Sequence, residues 1–383
     1  MITKINSDAM IFRLLPERRA WKELNFENLR WNVHLLKSRL PEGCQFMAVV
    51  KADAYGHGAI PVSSYLNKIG VTAFAVATAR EGMELRRHGI EGEILVLGYT
   101  PPQEASLLTA YNLIQTAADC SHAQALNDAA MVPVRIHLKL DTGMHRLGER
   151  PEHIEDLARL FSLPRLRICG MFSHLCAADS RDPEDAAFTR QQIRIFFDTA
   201  QKLHSLGCDP GKLHLQSSYG VLNYPGLPLS YARFGIAMYG AFSQPEPELL
   251  ETCPLRPVLS LHAGISLIKE LNPGESVSYG RNFRADRPMR IAAVTIGYAD
   301  GLPRSLSNRN APVLVRQKET RILGNICMDQ LLIDVTHIPE ARPGDPVTIL
   351  GTEGTCTLRA EDLAFRAGTI TNELLCRLSL REG

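Results

Sequence analysis

Short apolar runs recur along the first two thirds of the chain, separated by amphipathic stretches. Eight stand out, at residues 46–50, 73–77, 94–97, 114–117, 134–140, 168–172, 213–216 and 231–236. Runs this short and this continuous fit strands buried on both faces, as in a parallel sheet. Between them, stretches such as 79–88 and 186–206 repeat apolar residues at helical spacing. Strand and helix alternating in this way predict an α/β fold, a (β/α)8 TIM barrel. Around residues 244–254 the texture changes to three prolines among acidic residues, which marks a domain boundary. Beyond it, 259–268, 290–296, 312–315, 331–335 and 346–350 are short, β-branched and bounded by Gly, Pro and Asn, predicting a mostly antiparallel β domain. The strand-like piece 21–26 precedes the first barrel strand by one helix and is a candidate partner for that second domain. The expected division is 1–19 as a linker or leftover sequence, 20–245 as the barrel and 246–383 as the β domain.

Composition narrows the partners. With 22% charged residues and a net charge of +1 among 383 residues, the chain offers no electrostatic case for nucleic acid. Nine cysteines without a C-x-x-C pair suggest reduced thiols and no metal site. No signal peptide and no bilayer-length apolar stretch is visible, so the chain as given is expected to be cytoplasmic and free of membrane contact. The alternative is the cytoplasmic domain of a longer membrane protein.

One stretch carries more chemistry than any other: Met47-Ala48-Val49-Val50-Lys51-Ala52-Asp53-Ala54-Tyr55-Gly56-His57-Gly58. A lysine where an apolar strand meets a loop is usually a solvated charge. Held at the rim of an apolar barrel it can shed its proton, because desolvation penalises the ammonium form, and serve as a Schiff-base amine. Tyr55 could bond a phosphate, and Gly56 and Gly58 would let the backbone approach it. In such barrels the site lies at the C-terminal ends of the strands. There the sequence places Lys51 after strand one, Arg146 after strand five, His174 after strand six and Ser218 after strand seven, with Arg233, Gly235 and Ile236 in strand eight.

The lysine stretch resembles the pyridoxal-phosphate signature of alanine racemases, and the likeness runs from about residue 20 to 380. Lys139-Leu140-Asp141-Thr142-Gly143-Met144-His145-Arg146-Leu147-Gly148 is similar to the family's substrate-arginine segment. Arg233-Phe234-Gly235-Ile236-Ala237-Met238-Tyr239-Gly240 is similar to the segment facing the cofactor ring, and Val277-Ser278-Tyr279-Gly280 to the loop of the second base. Gly297-Tyr298-Ala299-Asp300-Gly301 and Cys327-Met328-Asp329-Gln330 match two further motifs. The resemblance implies pyridoxal 5'-phosphate as cofactor, held by Lys51, and a homodimer whose active site is shared between subunits. A racemase removes an α-proton from one face and returns one to the other, so it needs two bases. The resemblance gives these roles to Lys51 and to Tyr279 of the partner subunit. It implies Arg146 as carboxylate clamp, braced by Lys139 (often carbamylated in the family), with His174 on the cofactor ring and His214 fixing Arg233. Arg233 stands where other such enzymes use a carboxylate, and a guanidinium cannot supply a proton at neutral pH. Tyr55, Ser218 and the amides of Gly235 and Ile236 are the implied phosphate ligands. The resemblance also implies that Tyr298 and Met328 line the substrate, with Asp329 in support. Gln216-Ser217-Ser218 departs from the family's usual Asn-Ser, and a local change of hydrogen bonding is expected there.

A second departure bears on the substrate. Thr369-Ile370-Thr371-Asn372-Glu373 places Asn372 where alanine racemases carry a tyrosine. A short amide opens volume and adds a donor and an acceptor, which a serine hydroxyl could use. This resembles the serine racemases of vancomycin resistance, in which such a domain follows a membrane domain and D-serine replaces D-alanine at the end of a peptidoglycan precursor. The expected function is a serine/alanine racemase, with an alanine racemase as the alternative. A non-catalytic pyridoxal-phosphate carrier would lack the β domain with Tyr279 and Met328. A decarboxylase of the same two-domain plan would carry substrate motifs missing here.

Overall fold

The computed structural model describes residues 11–13 and 19–381; residues 1–10 and 14–18 of the expected 1–19 linker lie outside the described residues. Strands β1 (Ile11–Arg13) and β2 (Ala20–Asn25) come first and pair antiparallel. The barrel follows, from β3 (Gln45–Val49), β4 (Ala73–Val76), β5 (Glu93–Val96), β6 (Ile114–Ala117), β7 (Val134–Lys139), β8 (Leu166–Phe172), β9 (Lys212–His214) and β10 (Tyr231–Phe234). All eight run parallel and close in the order β10-β3-β4-β5-β6-β7-β8-β9. Their apolar runs are continuous because both faces are covered; every residue of β4, β6 and β10 is buried.

The helices between the strands begin where their sequences say they should. Ala79–Arg87 opens on a capping box, in which Thr78 accepts from the Glu81 amide and Glu81 accepts from the Thr78 amide. Pro183–Ser205 starts with Asp182 as N-cap and proline in the first turn.

The remaining strands are β11 (Leu259–Leu271), β12 (Ser276–Val277), β13 (Phe283–Arg284), β14 (Met289–Val294), β15 (Pro312–Val315), β16 (Lys318–Leu323), β17 (Leu331–Asp334), β18 (Pro346–Glu353) and β19 (Cys356–Leu358). Nine strands form one antiparallel sheet in the order β1-β2-β11-β14-β17-β16-β15-β18-β19, and β11 also pairs with β18. The N-terminal strand β2 thus joins the β domain, as its sequence position suggested, with Leu24 opposite Leu259. Two compact units result: His34–Ala54 with Gly58–Gly235, and the residues up to Val33 with Tyr55–His57 and everything from Ile236.

Most strand bounds shift by one to three residues from expectation, and two of these shifts fall at the candidate site. The eighth barrel strand ends at Phe234, its last pairing being with Ala48. Gly235 follows it and Ile236 opens a 3-10 turn, Ile236–Tyr239, so neither belongs to the strand. The seventh stops at His214 instead of 216; beyond it the Leu215 carbonyl accepts from the Arg233 side chain and the Gln216 carbonyl from the Arg233 amide.

Candidate active site

Behind β3 the chain turns the wrong way for L-residues. Lys51–Gly56 is helical, yet Ala52, Asp53, Ala54 and Tyr55 all have φ of 53–54°, the left-handed region. Such a conformation costs about 1–2 kcal/mol per residue, so the surroundings must hold it. The Ala52 amide donates to Glu81 Oε1 (2.8 Å), the Ala54 amide to the Val50 carbonyl (3.0 Å), and Asp53 Oδ1 accepts from the Ala59 amide (2.6 Å). The same Glu81 that caps its own helix therefore also pins this turn. Gly56 ends the turn at φ 78°, where a Cβ would stand 2.3 Å from the Leu375 carbonyl. Lys22 then bonds the carbonyls of Gly56 and Leu378, at 2.8 and 2.7 Å. Tyr55 is thus carried against the helix Thr371–Arg377, which also bears Asn372. Burial, followed by the nearby Cys376, pushes the Tyr55 phenol well above its usual range.

Within the barrel unit, His174 marks the centre of a cationic cluster. Burial, then the charges of Arg233, Lys139, Arg146 and Lys51, hold its imidazole well below the ordinary value. Four cationic side chains from the C-terminal ends of three strands, β3, β7 and β10, therefore act on one ring. Arg233 is buried and donates to His214 Nδ1 (2.7 Å), the carbonyls of Ser173 (2.7 Å) and Leu215 (2.8 Å), and His174 Nδ1 (3.2 Å). Burial pulls its guanidinium down to about 9, which leaves it charged at neutral pH. Lys139 donates to the Leu140 carbonyl (2.9 Å) and lies 5.3 Å over the Phe172 ring. Burial, then Arg233, lowers its amine to about 7.

Arg146 sits exposed on a loop whose ends are pinned. Asp141 accepts from the Gly143 and His145 amides, and the Gly148 amide donates to the Ala118 carbonyl (2.7 Å). Ser218 is buried at the start of the helix Ser218–Asn223. At the local departure in sequence, the Gln216 amide donates to the carbonyls of Gly220 and Tyr224, while the N-cap Ser217 makes no side-chain cap.

In the β unit, the segment 325–328 ties the expected residues together. Asn325 donates to the Tyr279 carbonyl (2.7 Å), and the amides of Tyr298 and Ala299 donate to the carbonyls of Cys327 and Met328. Tyr279, Met328 and Tyr298 are 72%, 51% and 39% exposed, unusual for large apolar side chains. Asp329 pairs with Arg381 at 2.8 Å. Asn372 keeps its Oδ1 buried, with no hydrogen-bond partner among the described residues.

Sequence reading overlooked Phe172 and Glu81. His214 stacks on Phe172 (centroids 4.7 Å apart, planes 6° apart), and Lys139 and Arg233 both face its ring. As the last residue of an apolar strand it looked like core. Glu81 was legible as a cap, but its second role depends on a fold contact.

The profile of the alanine racemase N-terminal domain matches residues 24–243, and that of the alanine racemase C-terminal domain matches 258–382. The chain belongs to the alanine racemase family. Enzymes of this family depend on pyridoxal 5'-phosphate. An amino-acid racemase of Enterococcus faecalis is 41% identical over 95% of this chain, and a serine/alanine racemase of Enterococcus gallinarum 40% over 96%. The chain spans about half the length of both relatives, 51% in each case. An alanine racemase of Geobacter sp. (strain M21) is 40% identical, the match covering 94% of this chain and 96% of that protein. The alanine racemase of Bacillus anthracis, solved with bound L-Ala-P, superposes with a TM-score of 0.86 at 31% identity, covering 94% of this chain and 93% of that one. No helix among the described residues is long and apolar enough to cross a membrane.

Proposed function

We propose that this chain is a pyridoxal-phosphate-dependent racemase of serine and alanine, acting as a homodimer, and that its D-serine enters modified peptidoglycan precursors in glycopeptide resistance. The observation that carries the serine half is Asn372. A buried amide oxygen without a partner is costly, by about 1–3 kcal/mol. A substrate hydroxyl would donate to it, whereas a methyl group would not. The name of the Enterococcus gallinarum relative agrees with this reading.

The residues present fit the cofactor. A buried, charged Arg233 suits a ring nitrogen that needs a donor, and the buried Ser218 hydroxyl, with Tyr55 and the amides of Gly235 and Ile236, suits a phosphate. When bound, the cofactor draws electron density from the substrate α-carbon and makes its proton removable. Lys51 holds the cofactor and then moves the proton at its Nζ on one face. Tyr279 of the partner subunit moves it at the phenolic oxygen on the other. Arg146 clamps the substrate carboxylate, with Lys139 as its brace. His174 lies against the ring, and His214 fixes Arg233. Because Arg233 cannot give up its proton, the ring remains a weaker electron sink, which trades rate for fidelity. Tyr298 and Met328 line the substrate, with Asp329 behind them.

The experiment is a side-by-side kcat/KM for L-serine and L-alanine in the wild type and in Asn372→Tyr. The tyrosine should lower the serine-to-alanine ratio by about tenfold or more. An unchanged ratio would return the chain to the second reading, a plain alanine racemase. That reading is favoured by the Geobacter relative, matched along nearly its whole length.

A further inference from the structure

Behind Arg233 the hydrogen bonds continue into the barrel. A guanidinium has hydrogens to give and no lone pair to accept with. Its contact with His214 Nδ1 therefore makes that nitrogen an acceptor. A neutral His214 then carries its hydrogen on Nε2, which lies 2.8 Å from Nδ1 of His137. His137 Nδ1 must accept in turn, so the single hydrogen of a neutral His137 sits on Nε2. That atom is buried and has no hydrogen-bond partner among the described residues. The chain of bonds has one direction, from Arg233 through His214 to His137.

Both imidazoles are held neutral. Burial, then the charge of Arg233, keeps His214 well below its usual value. Burial brings His137 down to about 3, although Glu93 pulls the other way.

The backbone makes room for this second histidine. β7 and β8 slip register by a bulge between Ile136 and His137, which skips Cys169 and sets Gly170 opposite His137. A Cβ on Gly170 would lie 2.5–2.6 Å from three atoms of the His137 ring. A bulge and a glycine thus admit an imidazole whose outer nitrogen stays unpaired. An apolar side chain would pack there without that cost, so the inner nitrogen is what the arrangement serves.

We propose that His137 is a positioning residue: by accepting from His214 Nε2 it fixes the His214 tautomer, and with it the placement of Arg233. Phe172 sets the plane of the His214 ring, and His137 sets which of its nitrogens accepts. The consequence for the reaction rests on the reading that Arg233 faces the cofactor ring nitrogen; the tautomer itself does not.

The test begins with 15N spectra of histidine-labelled holoenzyme. His214 and His137 should both show neutral rings with the hydrogen on Nε2; a hydrogen on His214 Nδ1 would overturn the proposal without any variant. His137→Leu removes the acceptor, and His137→Asn places an amide oxygen near the position of Nδ1. The leucine variant should shift the His214 resonances, lower kcat/KM about tenfold with KM little changed, and raise the share of turnovers lost to transamination. The asparagine variant should recover to within about threefold. Equal impairment of the two variants with His214 spectra unchanged would reduce His137 to packing and overturn the proposal. If Arg233→Lys altered neither the cofactor absorption spectrum nor the transamination share, the reading of Arg233 would fail instead, with the tautomer chain intact.

Discussion

Lys139 shows how one buried side chain can gain a chemistry its type does not advertise. An amine brought down to about 7, by burial and then by Arg233, is largely neutral just above neutral pH. Only the neutral amine attacks carbon dioxide, and a carbamate there would place a negative charge among Arg146 and Arg233. Protein equilibrated with 13C-bicarbonate should therefore show a carbamate carbon signal that grows as pH rises through 7 and is absent in Lys139→Arg. No signal in alkaline buffer would leave Lys139 as a plain amine on the Leu140 carbonyl. Asn372 belongs to the same scale, as a single side chain on which the serine reading depends.

Among the elements, the left-handed turn at Lys51–Gly56 is the most exposed to single substitutions. Gly56→Ala would add a methyl 2.3 Å from the Leu375 carbonyl, at a φ of 78° that L-residues resist. A loss of about 2–4 kcal/mol in unfolding free energy is expected, with the helix carrying Asn372 displaced; thermal unfolding of the variant checks it, and an unchanged Tm would refute it. The barrel strands were legible because a sheet buried on both faces writes itself as unbroken apolar runs. β16 was not, since Lys318, Glu319 and Arg321 make its first residues charged and exposed or half-buried. The handedness of the turn was also hidden: Ala52-Asp53-Ala54-Tyr55 contains no glycine, and the bonds that the Ala52 amide gives to Glu81 and that Asp53 accepts from the Ala59 amide help make the left hand tolerable. The lysine, both arginines and the histidines of the site could be placed by their strand ends. Phe172 and His137 could not, because a strand residue facing a barrel interior looks like core whatever it supports.

At the scale of the whole chain, one buried carboxylate ties together segments of the β unit that are far apart in sequence. Asp300 is fully buried and accepts from Arg19 (2.6 Å) and from Arg381 (3.1 Å). Burial alone would raise its carboxyl, but the two arginines and the Gly297 amide bring it below the usual range. A carboxyl depressed in the folded state adds stability at neutral pH. That contribution is lost as pH falls below about 4, the unfolded value. Asp300→Asn should cost about 2 kcal/mol at neutral pH, with the difference from wild type narrowing in acid; denaturant midpoints across that range decide it, and a difference independent of pH would contradict it.

The chemistry proposed for Lys51 and Tyr279 is tested most directly by following α-proton exchange in D2O by NMR, starting from pure L-serine and from pure D-serine, with wild type and Tyr279→Phe. Wild type should exchange both enantiomers and interconvert them. The phenylalanine variant should lose exchange from one enantiomer by about a hundredfold or more and retain it from the other, as expected when one of two general bases is removed. Equal loss from both enantiomers, or no exchange of serine by the wild type, would contradict a two-base serine racemase.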